Sequence, residues 1–122
     1  MTAGMAQVAP GLSIGGVPAR DHLAGLSEDE RLGAVVEDYR DWDFIVFLNL
    51  YEIGSRPPRK RKLTANRLLR WLISRDRWGF HHWSWQVNGP NGQCCGSTAH
   101  NRIAAIAEAR EHIDNYIEHG SF

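Results

Sequence analysis

Between Phe80 and Ala99, polar and apolar residues alternate on either side of a turn. No other pattern in the chain restricts its fold as much. Trp83, Trp85 and Val87 fall on one side of an extended strand, and His82, Ser84 and Gln86 on the other. Asn88-Gly-Pro-Asn-Gly92 then supplies the positive-φ chemistry of a tight connection. The pattern predicts a hairpin over about 80–99 with one buried and one polar face, as in an antiparallel sheet. If Asn88–Gly92 forms the loop, Val87 pairs with Gln93 and Trp85 with Cys95. Cys95 then joins the tryptophans inside, and Cys94 and Thr98 face out. A slip of one residue would reverse every assignment.

Such a sheet needs further strands and a covering layer. Asp43–Ile53 is rich in β-branched and aromatic residues. Phe44, Val46, Leu48 and Leu50 would line one face, and Ile45, Phe47, Tyr51 and Ile53 the other. A strand apolar on both faces is covered on both sides or sits in an interface, such as a homodimer. Phe44, Phe47, Leu48 and Tyr51 also fit a helical stripe, so a helix continuing through Tyr51 competes with the strand. Ser27-Glu28-Asp29-Glu30 reads as a capping box, and Leu32, Val35, Val36 and Tyr39 follow at helical spacing, predicting a helix over about 28–41. Thr64 can cap a second helix over about 65–76, with Leu68, Leu69, Leu72 and Ile73 as its apolar side. A third helix is expected over about 102–119, where Ile103, Ile106, Arg110, Ile113 and Ile117 recur among alanines and Gly120 ends the run.

The expected architecture is therefore α+β: a small antiparallel sheet, with a central strand at about 43–53 and the hairpin at about 80–99, packed by three helices. With 122 residues the chain is sized for one domain, over 26–122. Residues 1–25, rich in Gly, Ala and Pro, read as a flexible N-terminal arm. No apolar run approaches the roughly 18 residues of a membrane span. The N-terminus lacks the basic start and apolar stretch of a signal peptide. Cys94 and Cys95 are adjacent and unsuited to bridging each other. These features lead to the expectation of a reduced, intracellular protein without membrane contact.

Charge is sorted along the chain. Residues 56–77 hold nine cations, Arg56, Arg59, Lys60, Arg61, Lys62, Arg67, Arg70, Arg75 and Arg77, against the single acid Asp76, in a protein of zero formal net charge. Residues 1–55 compensate with nine acids against three cations. A concentrated positive segment is a candidate anion contact. A Pro-flanked basic loop followed by a basic helix would present its cations to a nucleic-acid backbone, and Trp71 and Trp78 could stack on unpaired bases. The competing reading is a solvated face, or pairing with the protein's own acids at 28–43. In a eukaryotic cell Arg-Pro-Pro-Arg-Lys-Arg-Lys would also serve as a nuclear import signal.

No catalytic set, cofactor motif or metal site is expected. His81, His82, Cys94, Cys95 and His100 are potential ligands, but vicinal strand residues point to opposite faces, and the predicted register sets Cys94 well away from His82. Nothing near either cysteine activates a thiol. Gly96-Ser-Thr-Ala-His-Asn-Arg-Ile-Ala-Ala-Ile-Ala107, a strand end entering an Ala-rich helix, resembles the closing β–α unit of double-stranded-RNA-binding domains. His100, Asn101 and Arg102 stand where those domains carry paired lysines, so the resemblance stops short of their RNA contacts.

The functional expectation is a small non-enzymatic protein that contacts nucleic acid, or a nucleoprotein complex, through Arg56, Arg59, Lys60, Arg61, Lys62, Arg67, Arg70, Trp71, Arg75 and Arg77. The alternative is a protein–protein adaptor or inhibitor working through the acidic segment 28–43. It would be encoded by a phage or mobile element and act on a host nucleic-acid-processing complex in the manner of certain anti-CRISPR proteins.

Overall fold

The computed structural model describes residues 17–51, 56–75 and 82–120. Four antiparallel strands form one sheet in sequence order, packed by three helices. The elements are α1 (Ala19–Ala24), β1 (Val35–Tyr39), β2 (Trp42–Asn49), α2 (Arg67–Ser74), β3 (His82–Asn88), β4 (Cys94–Ala99) and α3 (Arg102–His119).

The β3–β4 hairpin keeps its expected faces but not its expected register. Val87 lies opposite Cys95 and Trp85 opposite Ser97, two residues along from the expected pairing. Gly89 N–H donates to the Gln93 carbonyl (2.8 Å) and Gly92 N–H to the Gly89 carbonyl (3.2 Å), while Gly92 takes φ +83°. The loop is thus Pro90-Asn91-Gly92, a tight turn closed by a left-handed glycine. An even shift leaves every side chain on its original face, so Trp83, Trp85 and Val87 are buried as the alternation required.

α3 covers this inner face. Its bounds match the expectation: Asn101 Oδ1 caps the start by accepting from Ala104 N–H (2.7 Å), and Gly120 ends it at φ +74°. The buried stripe, however, is Ala105, Ala109 and Ile113, whereas Ile103 and Ile117 are exposed. Methyl side chains let the helix axis come close to a sheet whose bulk is already supplied by Trp83, Trp85, Phe44 and Leu48. Each of those large side chains contributes about 1.5–3 kcal/mol by leaving water.

The second apolar face of β2 is covered by the chain itself. Ile45 is fully buried, the His22 ring of α1 lies 5.3 Å from the Phe47 ring, and Ala19 N–H donates to Asp43 Oδ2 (3.2 Å). α1 falls inside the stretch expected to be an arm, and no partner copy is needed to shield β2. The strand also excludes a helix running through Tyr51.

The helix expected over 28–41 does not form. The capping box does: Ser27 N–H donates to Glu30 Oε1 (3.0 Å) and Glu30 N–H to Ser27 Oγ (3.2 Å). The turn it starts ends at Gly33, whose φ of +72° turns the chain into β1. In β1, Val35, Glu37 and Tyr39 share the inner face. Glu37 is held by Arg110 through two bonds of 2.6 and 2.8 Å. The β1–β2 turn is Arg40-Asp41, both at positive φ, and Asp114 on α3 accepts from Tyr39 Oη (3.0 and 3.1 Å) and Arg40 Nη1 (2.7 Å). These bonds fasten the outer strand to α3.

Candidate nucleic-acid interface

After β2 the chain returns along its own path. Tyr51 bridges Lys60, and Arg61 N–H donates to the Leu50 carbonyl (2.7 Å). The basic loop is therefore anchored at the end of the sheet where β2 stops and β3 begins. Arg56, Arg59, Lys60, Arg61 and Lys62 are all exposed there. Next comes α2, shorter than expected and capped by Asn66 rather than Thr64. Asn66 Oδ1 accepts from Leu69 N–H (3.1 Å), while Thr64 Oγ1 accepts from Asn66 N–H (3.1 Å). Two successive side-chain caps delay the start of the helix.

The cations divide into two groups. Lys60 Nζ lies 3.3 Å from Glu30 Oε1 and Arg70 Nη1 lies 3.1 Å from Asp29 Oδ1, so both are engaged by the turn that follows Ser27. Asp29 Oδ2 also accepts from Leu63 N–H (3.4 Å). Burial pushes the Glu30 carboxyl up, but the Ser27 backbone N–H, the Ser27 hydroxyl and Lys60 outweigh it and hold the group below its ordinary value. These contacts fix where the loop and α2 sit. The other six described cations, Arg56, Arg59, Arg61, Lys62, Arg67 and Arg75, are exposed. Arg77 and Trp78 lie outside the described residues.

α2 buries only Ile73 fully. Leu68, read from the sequence as part of the inner side, is 64% exposed, and Trp71 is 49% exposed. Arg67, Trp71 and Arg75 are four residues apart in turn, so they form one stripe along the helix. An indole between two guanidinium groups can stack on a base while its neighbours take the flanking phosphates. The spacing 67–71–75 is legible in the sequence. The exposure of Leu68 is not, because it depends on how little of α2 the sheet covers.

The acidic segment 28–43 is largely occupied. Asp29, Glu30, Glu37 and Asp43 all have partners within the chain, the last accepting from Ala19 N–H and from Asn88 Nδ2 (3.0 Å). Glu28, Asp38 and Asp41 are exposed. A cleft of about 480 Å³ lined by Asp38, Tyr39, Arg40, Asp41 and Asn88 lies at the opposite end of the sheet from the basic loop. His82 and His100 bring their rings within 5.2 Å of each other at the basic end, while Cys94 lies at the far end of the hairpin, opposite Asn88. His81 lies outside the described residues. Among the described residues no three His, Cys, Asp or Glu side chains gather into a metal-holding group, and no helix is long and apolar enough to cross a membrane. Set against family models, curated proteins and solved structures, the chain matches none.

Proposed function

We propose that this is a non-enzymatic nucleic-acid-binding protein whose contact surface is the loop 56–62 and the outward stripe of α2. The observation that carries the reading is the half-exposed Trp71, four residues from Arg67 and from Arg75, on a helix that follows the exposed Arg61 and Lys62 in the chain. A half-exposed indole at the centre of a cationic stripe can stack on a base, a contact worth roughly 1–3 kcal/mol per base. The guanidinium and ammonium groups around it would supply the salt-sensitive part of the affinity. Lys60 and Arg70 belong to the scaffold in this reading, because they hold the loop and helix against Asp29 and Glu30. The competing use of segment 28–43 as an acidic docking face has less support, since four of its carboxylates already bond within the chain.

The test is binding of the purified protein to labelled single- and double-stranded DNA and RNA, with Arg61→Ala/Lys62→Ala/Arg67→Ala and Trp71→Ala as separate variants. The proposal expects salt-sensitive binding that both variants weaken, with circular dichroism showing that each keeps its fold. Binding that both variants leave unchanged would refute it.

A further inference from the structure

We propose that the outer edge of β4 is a self-association site, where a second copy of the chain pairs antiparallel to extend the sheet to eight strands. The alternation of an antiparallel ladder locates the free groups. Gly89 and Gln93 form the bonded pair that closes the hairpin, so the bonded pairs recur at 87/95, 85/97 and 83/99. The N–H and C=O groups of Cys94, Gly96 and Thr98 therefore point away from β3. Among the described residues none of these groups has a backbone partner outside the sheet. All three residues are exposed.

Edge strands usually carry a device against pairing: a charge, a proline, a bulge or a cover. β4 reads Cys-Cys-Gly-Ser-Thr-Ala, with none of the first two, and its six register pairs run without a bulge. β1, the other edge, is five residues long and carries Glu37 and Asp38. Among the described residues, the edge strand without charge, proline or bulge is thus β4.

The occupant is a second copy because the free groups are symmetric about Gly96. Antiparallel self-pairing sets Gly96 opposite Gly96 of the second copy, and Cys94 opposite Thr98 on either side, so each outward N–H meets an outward C=O. The resulting interface is isologous, with a two-fold axis perpendicular to the sheet. Both copies of α3 then lie on the same face. The β4 side chains along the seam are small and uncharged. Cys95 and Ser97 become cross-strand neighbours at a non-bonded pair, the closer of the two spacings at about 4.5 Å between Cα atoms.

The test combines mass and register. Sedimentation over a wide concentration range should show the full chain forming dimers, and Thr98→Pro should shift it to monomer. That proline removes an outward N–H and leaves the β3 ladder intact, a place edge strands tolerate it. Circular dichroism checks its fold. If that variant does not fold, Thr98→Lys serves instead. Independently, Ser97→Cys in a Cys94→Ser background should cross-link into a dimer with oxidised glutathione, and Ser97→Cys in a Cys95→Ser background should not. A wild-type chain monomeric at every concentration would overturn the proposal. So would a dimer indifferent to both residue-98 variants, or one whose cross-linking does not require Cys95.

Discussion

Lys60 Nζ sits 3.3 Å from Glu30 Oε1 and 5.3 Å above the centre of the Tyr51 ring, so the middle of the most basic loop is pinned to an acidic turn and an aromatic face. The positive segment is therefore only partly available to an outside anion. Lys60→Ala should lower stability, by at most about 1 kcal/mol because the ammonium is partly exposed. Arg61→Ala and Lys62→Ala should leave it within about 0.5 kcal/mol. Urea denaturation of the three variants distinguishes the scaffold cation from the outward ones.

Gly33 is the point where the capping-box turn gives way to β1. A Cβ there would lie 3.0 Å from the Ser74 backbone and 3.1 Å from the Trp83 ring, at a φ of +72°. Gly33→Ala should cost about 1–3 kcal/mol through backbone strain. Because Ser74 ends α2, the variant should also lower amide protection along that helix, which hydrogen exchange would register.

α3 carries a contrasting pair of isoleucines. Ile113 is fully buried against the sheet, and Ile103 is exposed although both belong to the isoleucine repeat. Ile113→Ala should lose about 2–5 kcal/mol. Ile103→Ala should change stability by less than about 0.5 kcal/mol. Equal losses in denaturant titrations would contradict this division of the helix faces.

Two carboxylates set the acid response. The Arg40 guanidinium, with help from the Tyr39 hydroxyl, holds Asp114 below its ordinary 3.8, and Glu30 is held below its ordinary 4.5. For a depressed carboxylate, the unfolded chain takes up the proton first as pH falls. Its stabilisation is complete above the ordinary value and is lost as pH drops through the folded value. Stability should be flat in this respect near neutrality and decline below about pH 4.5. Glu30→Gln and Asp114→Asn should each lower stability at neutral pH and make the acid decline shallower in pH-dependent melts.

Where side-chain period and turn chemistry agree, the sequence is a sound guide. The 82–99 hairpin combines strict alternation with a glycine-rich turn, and α3 has both a capping Asn101 and a terminal Gly120. β1 is not legible in the sequence, because Leu32, Val35, Val36 and Tyr39 satisfy a helical spacing equally well, and the decisive residue is Gly33, whose positive φ no period reveals. α1 is six residues long, too short to show a period. For the proposed interface, the charge density of 56–77 and the 67–71–75 spacing are both legible in the sequence. What could not be read is the division of labour among the cations. It depends on Asp29 and Glu30 approaching from more than thirty residues away in Arg70's case, where separation is 41, and 30 in that of Lys60.

The most direct test of the binding surface is the salt dependence of affinity for a single-stranded oligonucleotide, compared between the wild type and Arg61→Ala/Lys62→Ala/Arg67→Ala. The account predicts a steep log–log dependence whose slope falls by about 0.7 for each phosphate contact removed. An affinity and slope unchanged by the triple replacement, or no binding at low salt, would contradict it.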